Sequence, residues 1–190
     1  MVKKIVQIGH PILTQKTQPV TDIDAAEVRQ VIGDLLDTCR ATRTITAGLA
    51  APQIGSDLSI CVCRRSDLED QGMKNLSDDV LWQVLINPQV TGESDDLSEI
   101  WEACLSIGEG QNMLYGPVLR PAEVEVSFLD PDGKEQHFEG DGFFSHLLQH
   151  EIDHLNGKLF LSYIANPANI WKSSELDAYL TEHDSYPPVR

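Results

Sequence analysis

Residues 149 to 157 read QHEIDHLNG, and within them His150, Glu151 and His154 make an HExxH pattern. Histidines four residues apart on a helix project from one face, so both imidazoles can reach a single cation. The glutamate beside them is placed to handle the proton of a water bound there. Phe143, Phe144, Leu147, Leu148, Ile152 and Leu155 surround the pattern, which predicts a helix running through the core, where imidazole and carboxylate groups need partners. A surface helix with two solvated histidines is the competing reading, and the density of apolar neighbours counts against it. HExxH alone fixes no reaction.

A catalytic zinc-type site takes a third protein ligand and leaves one position open for water or substrate. Two residues compete for that role. Glu175 lies downstream of His154 at a separation like that of zinc peptidases with two histidines and a glutamate, but its segment, NPANIWKSSELDAYL, is polar and lacks a strong apolar face. Cys104 stands in WEACLSIG, flanked by Trp101, Leu105 and Ile107. The remaining cysteines read differently: Cys61 and Cys63 fall in the alternating run SICVCRR, where residues two apart share one strand face and small thiols pack as hydrophobes.

The elements that must position these residues follow from periodicity. Val28, Ile32, Leu35, Leu36 and Cys39 at helical spacing predict an amphipathic helix over 25–42, with Thr21 or Asp22 able to cap its approach. TAGLAAPQIG follows, a run of small residues in which Pro52 restricts Ala51 to extended geometry. Strands are expected at 58–63, 82–90 and 122–130, the last turning through Pro131-Asp132-Gly133 into 134–139 as a hairpin. Ser66 to Asp79 and Gly92 to Glu99 are polar and aperiodic and read as surface loops. The fold class is α+β, with antiparallel and mixed short strands packed around a central helix carrying HExxH.

With 190 residues and 41% apolar content, the chain suits one globular domain. A formal charge of -16 with only 14 Lys and Arg argues against a phosphate backbone as main partner. No run approaches a membrane span or a signal-peptide core, since His10 and Pro11 interrupt the N-terminal stretch. Four cysteines without such a signal fit reduced thiols, and the expected location is the cytoplasm.

Three stretches together carry a resemblance. TAGLAAPQ (46–53), EACLS (102–106) and QHEIDHLNG (149–157) are similar, in order and at plausible separations, to the signature motifs of the peptide deformylase family, and the likeness extends from IVQIGHPIL to KLFLSYI. It implies a catalytic domain over 1–165 and leaves 166–190 as a polar, acidic C-terminal extension. The implied ligands are Cys104, His150 and His154, holding one divalent ion, Fe2+ foremost, with Zn2+ or Ni2+ as substitutes. The implied reaction is hydrolysis of the N-formyl group of formylmethionyl peptides in N-terminal processing. Glu151 would be the proton carrier, and the Gln53 side chain and Leu105 amide would stabilise the oxyanion.

The same resemblance places the peptide along Gly48 as an added strand and lines the methionine side with Ala47, Ile100, Phe143, His146 and Leu147. Asp153 could orient the site through Arg120 or form a surface ion pair with it.

The chain departs from the family pattern in several places. Thr46 and Ala103 stand where glycine is usual, GEGQNMLYGP carries no arginine where the family has one, and His146 replaces an aliphatic residue. A polar group at 146 would alter side-chain preference unless it points elsewhere and hydrogen-bonds a backbone carbonyl. Residues 172–190 carry Glu175, Asp177, Glu182 and Asp184 against Lys172 and Arg190, so no strong nucleic-acid binding and at most a transient ribosome association is expected. Two alternatives stay open: a peptidase with Glu175 as ligand, and a silent module that binds peptides without turnover.

Overall fold

The computed structural model of the protein describes residues 1–42 and 46–190. Its helices are α1 (Ala26–Ala41), α2 (Ser66–Asp70), α3 (Asp78–Leu81), α4 (Gly142–Leu155) and α5 (Ser173–His183). Its strands are β1 (Gly48–Ala50), β2 (Ile60–Arg64), β3 (Trp82–Glu93), β4 (Leu97–Ala103), β5 (Leu114–Pro121), β6 (Glu123–Leu129), β7 (Glu135–Asp141) and β8 (Trp171–Lys172). They form a five-stranded sheet ordered β1-β2-β3-β6-β7 and a three-stranded sheet ordered β4-β5-β8. Every ladder is antiparallel, and parallel pairing among the described residues is an isolated bridge, Gln18 to Leu58.

Alternation along β2 explains how the larger sheet is covered on both faces. Ile60 and Val62 pack with Val28, Val31, Leu35 and Cys39 of α1, whereas Cys61 and Cys63 face the other way, into a cluster with Phe144, Leu147, Leu148, Ile152 and Leu155 of α4. The period of two on the strand and the three-to-four spacing on each helix meet here. The CxC pair is thus core packing beneath α4.

Helix α4 also faces the smaller sheet, and its side chains divide accordingly. Phe144, Leu147, Leu148, Ile152 and Leu155 lie on the five-stranded sheet, while His146, His150 and Asp153, at spacings of four and three, bond to side chains of β4 and β5. Eleven of its residues are buried, as expected of a helix held between two layers.

Several local readings differ from the structure. The N-cap of α1 is Ala25 without a side-chain bond, while Asp22 accepts the amide of Asp24 in the preceding turn. The polar stretch 66–79 contains α2 and the start of α3, and the stretch 92–99 holds the end of β3 and the beginning of β4. Strand β5 is the largest omission. Its sequence LYGPVLRP carries a glycine and two prolines, yet β8 covers only Leu114 and Tyr115, so the remainder is an edge where proline is tolerated. The 130–134 hairpin turn forms as expected, with the Asp130 carboxylate accepting the amides of Asp132 and Lys134. The acidic tail packs closely on the body: β8 pairs with β5 and Leu176 of α5 is buried.

Candidate metal centre and substrate cleft

Strand β4 ends at Ala103, and the next residue, Cys104, meets the two histidines of α4. The donor atoms of Cys104, His150 and His154 all lie within 4.8 Å of one another, with Cys104 Sγ 3.2 Å from His154 Nε2. All three side chains are buried. Glu175, the other candidate ligand, is exposed on α5 and is absent from the cluster.

Glu102 organises this group and was missing from the sequence reading. His150 Nδ1 donates to its Oε2 at 2.9 Å, leaving Nε2 as the nitrogen turned to the metal position, the arrangement in which a carboxylate fixes ring orientation. His146 Nδ1 donates to Oε1 at 3.1 Å. Arg120, 2% exposed, closes the fork with Nε to Oε1 at 2.6 Å and Nη2 to Oε2 at 3.1 Å. Its Nη1 reaches Asp153 at 2.7 Å, and Asp153 in turn accepts from Tyr163 at 3.1 Å. With Arg120 this deeply buried, the Arg120–Asp153 pair belongs to the network beneath the site and is no surface ion pair. A signal for Glu102 was present: a carboxylate in the stretch leading to a buried cysteine requires a counterion.

His146 also has its second nitrogen engaged. Nε2 lies 2.8 Å from Ser98 Oγ, and because Nδ1–H is committed to a carboxylate, Ser98 is the donor in the neutral tautomer. Both partners are side chains, so the backbone-carbonyl alternative does not occur. His146 borders the cleft nonetheless, together with Ala47, Gly48, Gln53, Ile100, Leu105, Phe143 and Leu147. The positions named from sequence therefore converge on one cavity of about 220 Å3. Thr46 and Ala103, the two departures from glycine, line it as well.

Gln53 and Glu151 complete the constellation. Gln53 Oε1 accepts the Ala50 amide at 2.8 Å, which aims Nε2 at Cys104 Sγ, 3.4 Å away, and at Ser106 Oγ, 3.3 Å away. Glu151 is 3% exposed. Gly48 lets the chain pass close to it: a Cβ at that position would come within 2.5 Å of Glu151 Oε1.

Burial pushes the Glu151 carboxyl up to about 7, a range in which it can both take and return a proton near neutrality. Burial would also raise Glu102, but hydrogen bonds from His146, His150 and Arg120 hold it well below the usual carboxylate range. Burial drives His154 well below its ordinary value. For His150 burial works in the same direction, yet the Cys104 and Glu102 contacts prevail and raise it.

The residues fit a divalent ion. One sulfur and two imidazoles of convergent aim suit a borderline-soft cation. Glu151 Oε2 is buried without a protein hydrogen-bond partner among the described residues, a condition that calls for a ligand beside it.

Comparison with known proteins agrees with this geometry. A family model described as polypeptide deformylase matches residues 2–169. A peptide deformylase of Rhizobium meliloti (strain 1021) is 38% identical over 164 residues, covering 86% of each chain. One from Methylocella silvestris is 39% identical over 175 residues, covering 91% of this chain and 82% of the relative. Among solved structures, the peptide deformylase from Synechococcus elongatus in complex with actinonin superposes with a TM-score of 0.73 at 33% identity, covering 97% of this chain and 91% of that one. A motif set, a donor cluster and a fold that agree this far lead to one conclusion: the chain is a member of the polypeptide deformylase family.

Proposed function

We propose that this protein removes the formyl group from N-formylmethionyl peptides, releasing formate and a free amine. The observation that carries the reading is the convergence of Cys104, His150 and His154 beside a buried Glu151 and an inward-aimed Gln53 amide. Cys104, His150 and His154 would hold one divalent ion, Fe2+ foremost with Zn2+ or Ni2+ as substitutes. When bound, the metal supplies a Lewis acid that acidifies water and polarises the formyl carbonyl.

The chain's own groups do the rest. Glu151 takes the proton of the attacking water and delivers it to the departing nitrogen. The Gln53 Nε2–H and the Leu105 amide stabilise charge on the formyl oxygen, and one such donor is worth about 10²–10³ in rate. The peptide lies extended along Gly48, exchanging main-chain hydrogen bonds as an added strand. Ala47, Ile100, Phe143, His146 and Leu147 receive the methionine side chain. Among the described residues no helix is long and apolar enough to cross a membrane. We place the activity in the cytoplasm, on peptides or nascent chains, with at most a transient ribosome association given the acidic tail.

The test is an anaerobic assay of iron-loaded protein on formyl-Met, acetyl-Met and unblocked peptides, measuring formate, acetate and internal cleavage. Formate release should dominate, and Glu151→Ala should lower it by about 10²–10⁴ while the metal stays bound. Internal cleavage without formate would support a peptidase. Peptide binding without turnover, identical in wild type and Glu151→Ala, would support a silent binding module.

A further inference from the structure

The C-terminal segment reaches back to the cleft. Trp101, on β4 next to Ile100, lines the same cavity as the metal ligands, and its ring is stacked by Tyr186 with centroids 5.2 Å apart and planes 21° from parallel. Asp184, with φ of 50°, caps α5 and turns the chain toward Trp101. Beyond Tyr186, Pro187 is buried. The segment is then tied down: the Arg190 amide donates to Asn169 Oδ1 at 2.9 Å, and the Arg190 carbonyl accepts from Asn169 Nδ2 at 3.2 Å and Asn166 Nδ2 at 3.3 Å. Residues 186–190 therefore form a strap held by a stacked ring at one end and two asparagine amides at the other. It lies outside the residues matched by the family model.

Tyr186 keeps 53% of its surface exposed, and Phe143, which also lines the cleft, keeps 47%. Phe143 offers exposed aromatic surface in the cavity itself and Tyr186 offers it at the cavity's edge, through its stack on the lining residue Trp101; such surface beside a binding cavity marks a place for ligand. Geometry indicates which part of the ligand. Successive residues of a strand alternate faces, so Ile100 and Glu102 share the side toward α4 while Trp101 looks the opposite way. An extended peptide alternates in the same manner: with methionine beside Ile100, the side chains that follow reach the face carrying Trp101 and the strap.

We propose that the C-terminal strap is part of the substrate cleft, and that Tyr186 stacked on Trp101 forms a subsite for aromatic or long apolar side chains directly after the formylated methionine. The inference rests on the deformylase reading for the direction of the peptide. Trp101 contacts the peptide, and Tyr186 both positions the indole and extends its surface.

The test is calorimetric binding of formyl-Met-Trp-Ser, formyl-Met-Ser-Trp and formyl-Met-Ser-Ser to metal-loaded protein carrying Glu151→Gln, so that turnover is not needed. Formyl-Met-Trp-Ser should bind about three- to tenfold more tightly than formyl-Met-Ser-Ser, the scale of a single aromatic contact, whereas formyl-Met-Ser-Trp should bind no more tightly than the serine peptide. Adding Tyr186→Ala or Trp101→Ala should bring that ratio close to one, and adding Tyr186→Phe should preserve it, because the ring and not the hydroxyl makes the stack. Unchanged circular dichroism in each variant separates lost preference from lost structure, and Tyr186→Phe repeats the measurement with the ring intact. Equal affinity for all three peptides, tighter binding of formyl-Met-Ser-Trp alone, or a preference that survives Tyr186→Ala would overturn the proposal. Formate release by the wild-type protein is a separate measurement and reports only on the deformylase reading.

Discussion

The two faces of α4 do opposite work. Toward the five-stranded sheet the helix presents Phe144, Leu147, Leu148, Ile152 and Leu155, packed in the apolar cluster that includes Cys61 and Cys63. Toward the three-stranded sheet it presents His146, His150 and Asp153, bonded to Glu102, Ser98 and Arg120. The dry face fixes where the helix sits. The polar face fixes where His150 points, since rotation of an imidazole by even a small angle misplaces its lone pair, and the Glu102 carboxylate removes that freedom. The apolar face secures position through many weak, non-directional contacts, while aim comes from a few directional bonds, so single substitutions on the polar face should change chemistry far more than fold.

The strongest way to break this contrast is at the ligand that α4 does not supply. Cys104→Ala should abolish tight metal binding and lower formate release by more than about 10³, within the range that loss of a metal's contribution to charge stabilisation allows. Glu175→Ala should leave the metal content at one ion per chain. Metal analysis after gel filtration reads both, and retention of metal by Cys104→Ala together with its loss in Glu175→Ala would transfer the third-ligand role to the tail.

A smaller effect is expected one step back. Glu102→Gln keeps the shape but removes the charge that the His150 and Arg120 donors require, and metal affinity should fall by about 10–100-fold, the usual consequence of losing an outer-sphere partner. Competition against a chromogenic chelator measures it. An affinity equal to wild type would mean that the dry face alone orients the histidines.

These two faces were also unequally legible in the sequence. The dry side follows from patterns that one segment carries by itself: helical spacing in 25–42 and 143–155, and alternation in β2, β3 and β6. The polar side is built from residues far apart in the chain. Glu102 meets Arg120 across the β4–β5 ladder and His150 across the layer boundary, and neither strand announces itself. β4 exposes Leu97 while burying Glu102, and β5 contains Pro117 and Pro121. Local pattern is silent where a strand buries polar groups to reach a partner in another element. The proposed ligands were legible because HExxH compresses two of them and the proposed proton carrier into one turn and a half of helix. Cys104 could be chosen over Glu175 only through the resemblance of EACLS to a known motif. The C-terminal strap had no signal at all, since a single tyrosine in SYPPVR gives no indication of the ring it will stack on.

The smallest expected effect is the most discriminating test of how the polar face is anchored. His146, which the sequence resemblance sets in place of an aliphatic residue, bridges Glu102 Oε1 and Ser98 Oγ. Arg120 already gives the same Oε1 a shorter bond, 2.6 Å against 3.1 Å, and His150 holds the other oxygen. If Arg120 is the anchor, His146→Leu removes a redundant donor: metal affinity should fall by less than about tenfold, and stability by roughly 1–2 kcal/mol for the hydrogen bonds lost, partly offset by added apolar burial. The methionine pocket should then show its change in preference between formyl-Met and formyl-norleucine peptides, because an apolar wall replaces an imidazole. Chelator competition, thermal denaturation and the ratio of kcat/KM values report on the three consequences separately. A loss of metal as large as that of Glu102→Gln would reverse the assignment, making His146 the residue that holds Glu102 in place and Arg120 only its counter-charge.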